Sequence, residues 1–278
     1  MGAVVIIIDL IKEFVLPKNT YKRENFWYLL RKGLAYLSYI PITKYYQITR
    51  RNKRFKYQCI EYEYLYNLYN ATWRNERAVE LPIVFRYAYF MSLDRGREIG
   101  WFTGYNDCSI LEIGNVTSHY TNYGLQWGMN TALPDAIVDK YEHGWGVKNE
   151  DIVTFKPKEK YDLVISISTL EHVGIDEEPP NPSKLIEALF NIKKNILKPG
   201  GTMLATVPVG YNGCLDQLLT LEPDLFTSIH CMWRKSHRSL DWIEVEWTPH
   251  LIKGARVDVK SGYGSTLIAI LEMRNEDN

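Results

Sequence analysis

Glycine is scarce where this chain turns away from its most regular strand. After the apolar run Ser109-Ile-Leu-Glu-Ile113 there is one glycine, Gly114, followed by Asn115-Val-Thr117. A G-x-G-x-x-G loop, which brings backbone close to a diphosphate at a helix start, is absent, so a dinucleotide is disfavoured. Cysteine is also sparse: Cys59, Cys108, Cys214 and Cys231 show no C-x-x-C spacing and no histidines at zinc-ligand distance. That excludes a zinc module or a disulfide framework and points to reduced thiols in a cytoplasmic protein. Net charge is zero, with 33 basic and 33 acidic side chains. No long-range attraction to nucleic acid is therefore expected. No apolar run reaches the ~20 residues of a membrane span. Val4–Leu16 comes nearest, but it contains Asp9, Lys12 and Glu13 and stops at Pro17. It also lacks the basic start and small-residue cleavage site of a signal peptide. Internal repeats and low-complexity segments are missing.

Residues 1–100 read as an N-terminal helical and hairpin extension. Val4, Ile7, Ile8, Ile11, Phe14 and Val15 share one helical face. Phe26–Tyr46 mixes aromatic and aliphatic residues with Arg31, Lys32 and Lys44. Such amphipathic helices suit peripheral contact with a membrane interface through residues 1–46. Packing on the domain or on a second subunit, in a homo-oligomer, suits them as well. The basic run Arg50, Arg51, Lys53 and Arg54 reads as solvated surface or as a phosphate contact. Residues 55–66 alternate aromatic and polar, which predicts a small hairpin. A helix capped by Asn70 or Thr72 should follow, through Val79, Leu81, Ile83 and Val84.

Residues 101–278 repeat strand, loop and helix. Strands are expected at Ser109–Ile113, Asp135–Asp139, Tyr161–Ser168 and Thr202–Pro208, with a short segment at Asp151–Phe155 and a helix at Lys184–Leu197. Near-continuous apolar strands separated by helices imply a mostly parallel sheet covered on both faces. Trp242–Trp247 and Ser265–Glu272 lack a crossover helix between them, which predicts a terminal antiparallel hairpin.

The strand ends share a chemistry. Asp139 can accept two hydrogen bonds from a ribose diol, and Asp151 can accept one from an adenine amine. Ile152 offers a backbone N–H and an apolar wall. A charged tail would take exposed backbone near Gly114. A diphosphate would need a longer glycine-rich helix start and a basic side chain. The pattern favours an adenosine ligand without phosphate, and S-adenosyl-L-methionine (SAM) fits.

The segments L-E-I-G-N, I-V-D-K-Y-E, N-E-D-I-V, K-Y-D-L-V-I-S-I-S-T-L-E-H-V and L-K-P-G-G-T-M-L-A-T-V-P together resemble class I SAM-dependent methyltransferases over residues 108–272. T-W-R-N-E-R-A-V-E-L-P-I at 72–83 is similar to a branch associated with cell-surface polysaccharide genes. The resemblance implies an α/β, Rossmann-like class I methyltransferase sheet. It places the acid-and-glycine loop on Glu112, Gly114 and Asn115, and the ribose acid on Asp139. The adenine contact falls on Asp151 and Ile152. The residues after the fourth strand are Ser168, Leu170, Glu171 and His172. Asn115-Val-Thr117 departs from the family, which usually has another glycine or two there. A tighter or displaced methionine-binding loop, or weak SAM affinity, follows from that departure.

Methylation of a hydroxyl needs a general base, because a sugar hydroxyl is a poor nucleophile at neutral pH. His172 is the first candidate, with Glu171 to orient it or to share a metal; a loop-capping histidine is the alternative. His119 and His143 flank the cofactor loops and are weaker candidates. Asp176-Glu-Glu178 reads as a solvated acidic loop or a metal site, and no metal is expected. Tyr211 and Asn212 fall where this fold contacts the acceptor, and Arg77 with Glu76 could reach the cofactor's amino-acid end or the substrate. The expected activity is O-methylation of a sugar in a cell-surface glycan or lipid-linked precursor. The alternatives are another reaction on the same fold, or a degenerate SAM-binding scaffold subunit without catalysis.

Overall fold

The computed structural model describes residues 26–94, 108–121, 134–258 and 264–276, with side chains of the first helix from residue 36. The apolar face expected at residues 4–15 lies outside the described residues. Helix α1 is Phe26–Thr49, followed by strands β1 (Arg54–Tyr57) and β2 (Ile60–Glu63). These two pair antiparallel, Arg54 opposite Glu63 and Tyr57 opposite Ile60, as the aromatic alternation predicts. Their turn places Gln58 and Cys59 at φ 50° and 63°, the left-handed geometry that matches hairpin twist.

The next helix starts later than its sequence suggests. Residues Tyr69–Arg74 form a 3₁₀ stretch interrupted at Asn70 and Ala71, whose φ angles are 56° and 42°. Helix α2 is Arg77–Asp94, and Asn75, rather than Asn70 or Thr72, accepts its first amide (Arg77 N to Oδ1, 3.2 Å). The residue change that matters is small, yet it sets Arg77 and Glu80 in the first turn.

The main sheet is built from β3 (Ile110–Ile113), β4 (Ala136–Val138), β5 (Val147–Lys148), β6 (Tyr161–Ile167), β7 (Leu197–Pro208), β8 (Ser228–Trp233), β9 (Ile243–Val245) and β12 (Leu267–Arg274). Two short strands, β10 (Val257–Asp258) and β11 (Gly264–Ser265), pair separately. The spatial order is β5-β4-β3-β6-β7-β12-β8-β9. The first five are parallel, and β12 is inserted antiparallel between β7 and β8. This is the Rossmann-like sheet of the class I methyltransferase fold. Its antiparallel end differs in one partner from the expected hairpin. Ser265–Glu272 does not pair with Trp242–Trp247, because β8, in a segment the sequence pattern left unassigned, lies between them.

Each strand feeds two cores by alternation. Leu163, Ile165 and Ile167 of β6 join Phe55, Val79, Phe85 and Ile268 in one cluster, under α2 and the β1–β2 hairpin. Val164, Met203 and Ala269 join Leu185, Leu189 and Leu215 in the other, under α3 (Ser183–Asn191) and α4 (Gly213–Leu221). The N-terminal segment thus shares a core with the sheet. Its helix α2 packs on β6, and Glu80 in its first turn meets Ser168 at the carboxyl end of β6, where open α/β sheets bind ligands.

Candidate active site

Strand β3 ends in a buried acid that never reaches the ligand cavity. Glu112 is 0% exposed. Its Oε1 accepts from Val116 N (3.1 Å) and Thr117 N (2.8 Å), and its Oε2 from Thr117 Oγ1 (2.6 Å). The sequence reading made Glu112 a cofactor contact; in the structure it folds back and holds the loop. Burial pushes its carboxyl up to about 7, against the opposing pull of the Thr117 and Val116 bonds. Because the folded pKa lies above the ordinary 4.5, the stabilising contribution is complete below that value and is lost as pH rises through about 7. Glu112→Gln keeps two acceptor bonds and can donate to Thr117, so it should flatten this loss. At ~1.4 kcal/mol per pKa unit, the variant should gain up to about 3 kcal/mol over wild type between acid and alkaline pH. Denaturant melts of both proteins at several pH values check it, and parallel pH profiles would refute it.

Gly114 has φ +87°, and a Cβ there would fall 2.2 Å from Thr169 Oγ1. This close approach lets the β3 and β6 strand ends meet. Asn115 donates its backbone N–H to Asp139 Oδ2 (3.2 Å) and its side-chain amide to Glu142 Oε1 (2.8 Å). Asp139 follows β4, and its Oδ1 accepts from Tyr141 N (2.8 Å) and Glu142 N (2.7 Å). Its Oδ2 keeps the single longer bond, and Asp139 is part of the cavity wall.

That cavity measures about 500 Å³ and is walled by Gly114, Asn115, Asp139, Asp151, Ile152, Ser168 and His172, among others. Asp151 is less open than expected. Lys140 and Lys184 approach its Oδ2 at 2.9 and 3.4 Å, and Val153 N donates to Oδ1 at 3.0 Å. Burial opposes ionisation of Asp151, yet Lys140, Val153 and Lys184 together hold its pKa below the usual carboxylate range. Lys140 also pairs with Glu177 at 2.8 Å, and Lys184 pairs with it too. Glu177 of the expected acidic loop is therefore neutralised by two lysines. Among the described residues no group of His, Cys, Asp or Glu is arranged to hold a metal.

Ser168 ends β6 with φ 39°, and its hydroxyl donates to Glu80 Oε1 at 2.6 Å. Next come Glu171 and His172. The His172 side chain is 43% exposed, and its Nδ1 lies 2.6 Å from Asp176 Oδ2. The Tyr211 hydroxyl donates to the same carboxylate, at 3.1 Å to Oδ1 and 3.0 Å to Oδ2, and its ring meets the imidazole edge-on at 4.8 Å. Burial and the Asp176 carboxylate push the Tyr211 phenol up to about 12, which keeps its proton in place. Asp176, read from the sequence as part of a solvated acidic loop or a metal site, is the carboxylate shared by His172 and Tyr211; its position four residues after His172 was the available signal. Glu171 is 1% exposed, burial pushes it well above the usual carboxylate range, and its Oε1 is 3.5 Å from His172 Nε2. It is too far to orient the imidazole as strongly as Asp176 does.

Four other candidates have partners of their own. Asn212 is buried and caps α4, its Oδ1 accepting from Cys214 N (2.9 Å) and Leu215 N (3.2 Å). Its amide donates to Glu171 O at 2.8 Å, so neither end is left for a substrate. His119 stacks on Tyr69 at 4.5 Å and pairs with Glu142 at 2.8 Å, while His143 pairs with Asn149 at 2.5 Å. Neither histidine lines the cavity. Arg77 lies in the first turn of α2 and pairs with Glu80 Oε2 at 3.0 Å.

No family model and no curated protein matches the chain. Among solved structures, similarity extends to the N-methyltransferase NodS from Bradyrhizobium japonicum WM9 in complex with S-adenosyl-L-homocysteine. It is 13% identical, with a TM-score of 0.40, over 74% of this chain and 95% of that one. A SAM-dependent methyltransferase from Thermotoga maritima, described as a possible histamine N-methyltransferase, is 14% identical with a TM-score of 0.37, over 70% and 92%. The 1,6-didemethyltoxoflavin-N1-methyltransferase of Burkholderia thailandensis is 14% identical with a TM-score of 0.33, over 70% and 79%.

Proposed function

We propose that this protein transfers a methyl group from SAM to a sugar hydroxyl of a cell-surface glycan or its lipid-linked precursor. The observation that carries the reading is one cavity of about 500 Å³ whose wall joins Gly114, Asp139 and Ile152 to His172. Its size is that of an ordinary small-ligand site. The donor set fits an adenosine: Asp139 Oδ2 offers lone pairs to a ribose diol and Ile152 an apolar face to the base. Asp151 serves the adenine amine only in competition with two lysines. When bound, SAM supplies an electrophilic methyl carried on a sulfonium.

The protein's own part is alignment and proton removal. With its N–H directed at Asp176, the His172 ring leaves Nε2 unprotonated to take the proton of the acceptor hydroxyl. Tyr211 holds Asp176 from the other side. Tyr141 and Tyr211 present ring surface near the cavity, which suits a sugar. The glycan assignment rests on the likeness at residues 72–83. In this reading the enzyme works in the cytoplasm, with residues 1–46 against a membrane or a second copy of the chain. No helix among the described residues is long and apolar enough to cross a membrane.

Isothermal calorimetry with S-adenosylhomocysteine (SAH) tests the reading. Wild type should bind it. Asp139→Asn keeps an acceptor for Tyr141 and Glu142 but turns the other atom into a donor. It should weaken SAH about 30-fold, equivalent to ~2 kcal/mol, with a small fall in melting temperature because the new amide also meets the Asn115 N–H. A folded wild type that binds neither SAM nor SAH would sink the proposal.

A further inference from the structure

Helix α1 is apolar on two opposite faces, and the fold covers one of them. Its inner face packs on the Tyr69–Arg74 stretch. There Trp73 Nε1 donates to Thr43 Oγ1 at 3.2 Å, and the Tyr39 and Tyr46 rings meet Trp73 at 5.8 and 5.4 Å. On the other face Leu37, Ile40, Lys44 and Ile48 follow one another at three- and four-residue spacing, with Pro41 and Tyr45 beside them. Leu37 and Ile40 are exposed, and Tyr45 and Ile48 reach 60% and 69%. A helix that is hydrophobic all round is normally buried all round. This one is open along half its girth.

Charge decides what fits the open face. From Asn25 to Arg54 there is no aspartate or glutamate, against seven lysines and arginines, in a chain whose net charge is zero. Asp241 and Glu63 engage two of these cations, Arg50 and Arg54. Lys44 on the apolar stripe, and Arg51 and Lys53 just beyond its end, are exposed. A second copy of the chain is a poor cover, because two-fold pairing sets the same patch against itself and brings cations together with no acid from either helix. Nucleic acid would leave the aliphatic side chains unused. An anionic lipid surface uses both, taking the apolar groups at the acyl boundary and the cations among its headgroups.

We propose that the face of α1 carrying Leu37, Ile40, Lys44, Tyr45 and Ile48, with Arg51 and Lys53 after it, docks on an anionic membrane. The helix lies on that surface; no helix among the described residues is long and apolar enough to cross one. A short chain of contacts links it to the cavity. Tyr69, in the stretch under α1, stacks on His119 at 4.5 Å, and His119 pairs at 2.8 Å with Glu142 of the cavity wall. A lipid-linked acceptor would be held at the same surface as the enzyme. That consequence rests on the methyltransferase reading, whereas the membrane contact does not.

Flotation with phosphatidylcholine vesicles, with and without about 30% phosphatidylglycerol, reads the contact. Wild type should bind the anionic vesicles at least about 30-fold more tightly than the neutral ones, as expected for three exposed cations. Lys44→Glu/Arg51→Glu/Lys53→Glu should abolish that preference. Ile40→Asp/Ile48→Asp keeps the cations and should weaken binding to anionic vesicles about 30-fold or more. All five positions are exposed, so both variants should melt within about 2 °C of wild type. Vesicle binding that survives in both folded variants overturns the assignment. So does a wild type that floats with neither vesicle; a dimer that Ile40→Asp/Ile48→Asp turns into monomer would then identify a second copy as the cover. Calorimetry with SAH is read separately. A wild type that binds anionic vesicles but neither SAM nor SAH would keep the docking surface and sink the methyltransferase reading.

Discussion

Gly114→Ala should cost roughly 2–4 kcal/mol of stability and weaken SAH binding by about 100-fold. Two independent conflicts converge on the new methyl group. At φ +87° an L-residue is strained. The Cβ would also lie 2.2 Å from Thr169 Oγ1 and 2.8 Å from its Cγ2, inside any real contact distance. Thr169 cannot simply rotate away, because its hydroxyl donates to Ile167 O at 3.1 Å and its β-carbon is itself 2.9 Å from the added atom. The strand ends must separate, and the cavity wall separates with them. Gly114→Ala/Thr169→Ala removes the two shortest contacts but leaves the β-carbon at 2.9 Å and the strain, so it should recover less than half of the lost stability. Thermal melts and SAH calorimetry on the three proteins check both parts. A Gly114→Ala variant with wild-type melting temperature and SAH affinity would show that the loop is looser than this packing implies.

The positions legible in the sequence were those fixed by local chemistry. Apolar runs ending in Glu112 and Asp139 located β3 and β4, and the aromatic alternation located the β1–β2 hairpin, because burial on one face demands a period of two. Strand β8 escaped because Ser228-Ile-His-Cys-Met-Trp233 shows neither clean alternation nor a continuous apolar run; only its neighbour β12 makes it a strand. At the site, residue types were read well and their partners poorly. Glu112 was recognisable as an acid at a strand end, but nothing local says whether such a carboxyl faces a ligand or bends back onto Thr117. Asn212 looked like a substrate contact because it follows β7. Its role as a cap depends on α4 starting at Gly213. The Lys140 and Lys184 approach to Asp151 joins residues up to 33 apart in sequence, which no spacing rule reports.

These partners explain how a loop with one glycine keeps its shape. Where extra glycines would let backbone crowd the ligand, this chain turns its own side chains inward. Glu112 and Asp139 satisfy the amides of residues 115–117, and Asn115 ties the loop to Glu142. The loop becomes rigid at the expense of its anion-binding amides. In the proposed function, recognition of the cofactor therefore falls to side chains rather than to these amides.

Replacing His172 with alanine should lower turnover by 10²–10⁴-fold, the usual contribution of a positioned general base, and leave SAH affinity within about twofold. The separation follows from geometry. His172 lies on the cavity wall beyond the predicted nucleoside contacts, and its side chain contacts Asp176 and Tyr211 rather than Asp139 or Ile152. Asp176→Asn should act through the imidazole. It replaces the carboxylate 2.6 Å from Nδ1 with a neutral amide that can turn either its oxygen or its nitrogen to the ring, so the ring loses its fixed tautomer. Turnover at neutral pH should fall about tenfold to a hundredfold, with SAH affinity again unchanged. Tyr211→Phe removes the hydroxyl that holds Asp176 and should lower turnover by less. Calorimetry with SAH and turnover measurements on an accepted sugar substrate make the comparison. If His172→Ala kept wild-type turnover, the base would have to lie elsewhere, and the Asp176 and Tyr211 contacts would be structural supports for the loop.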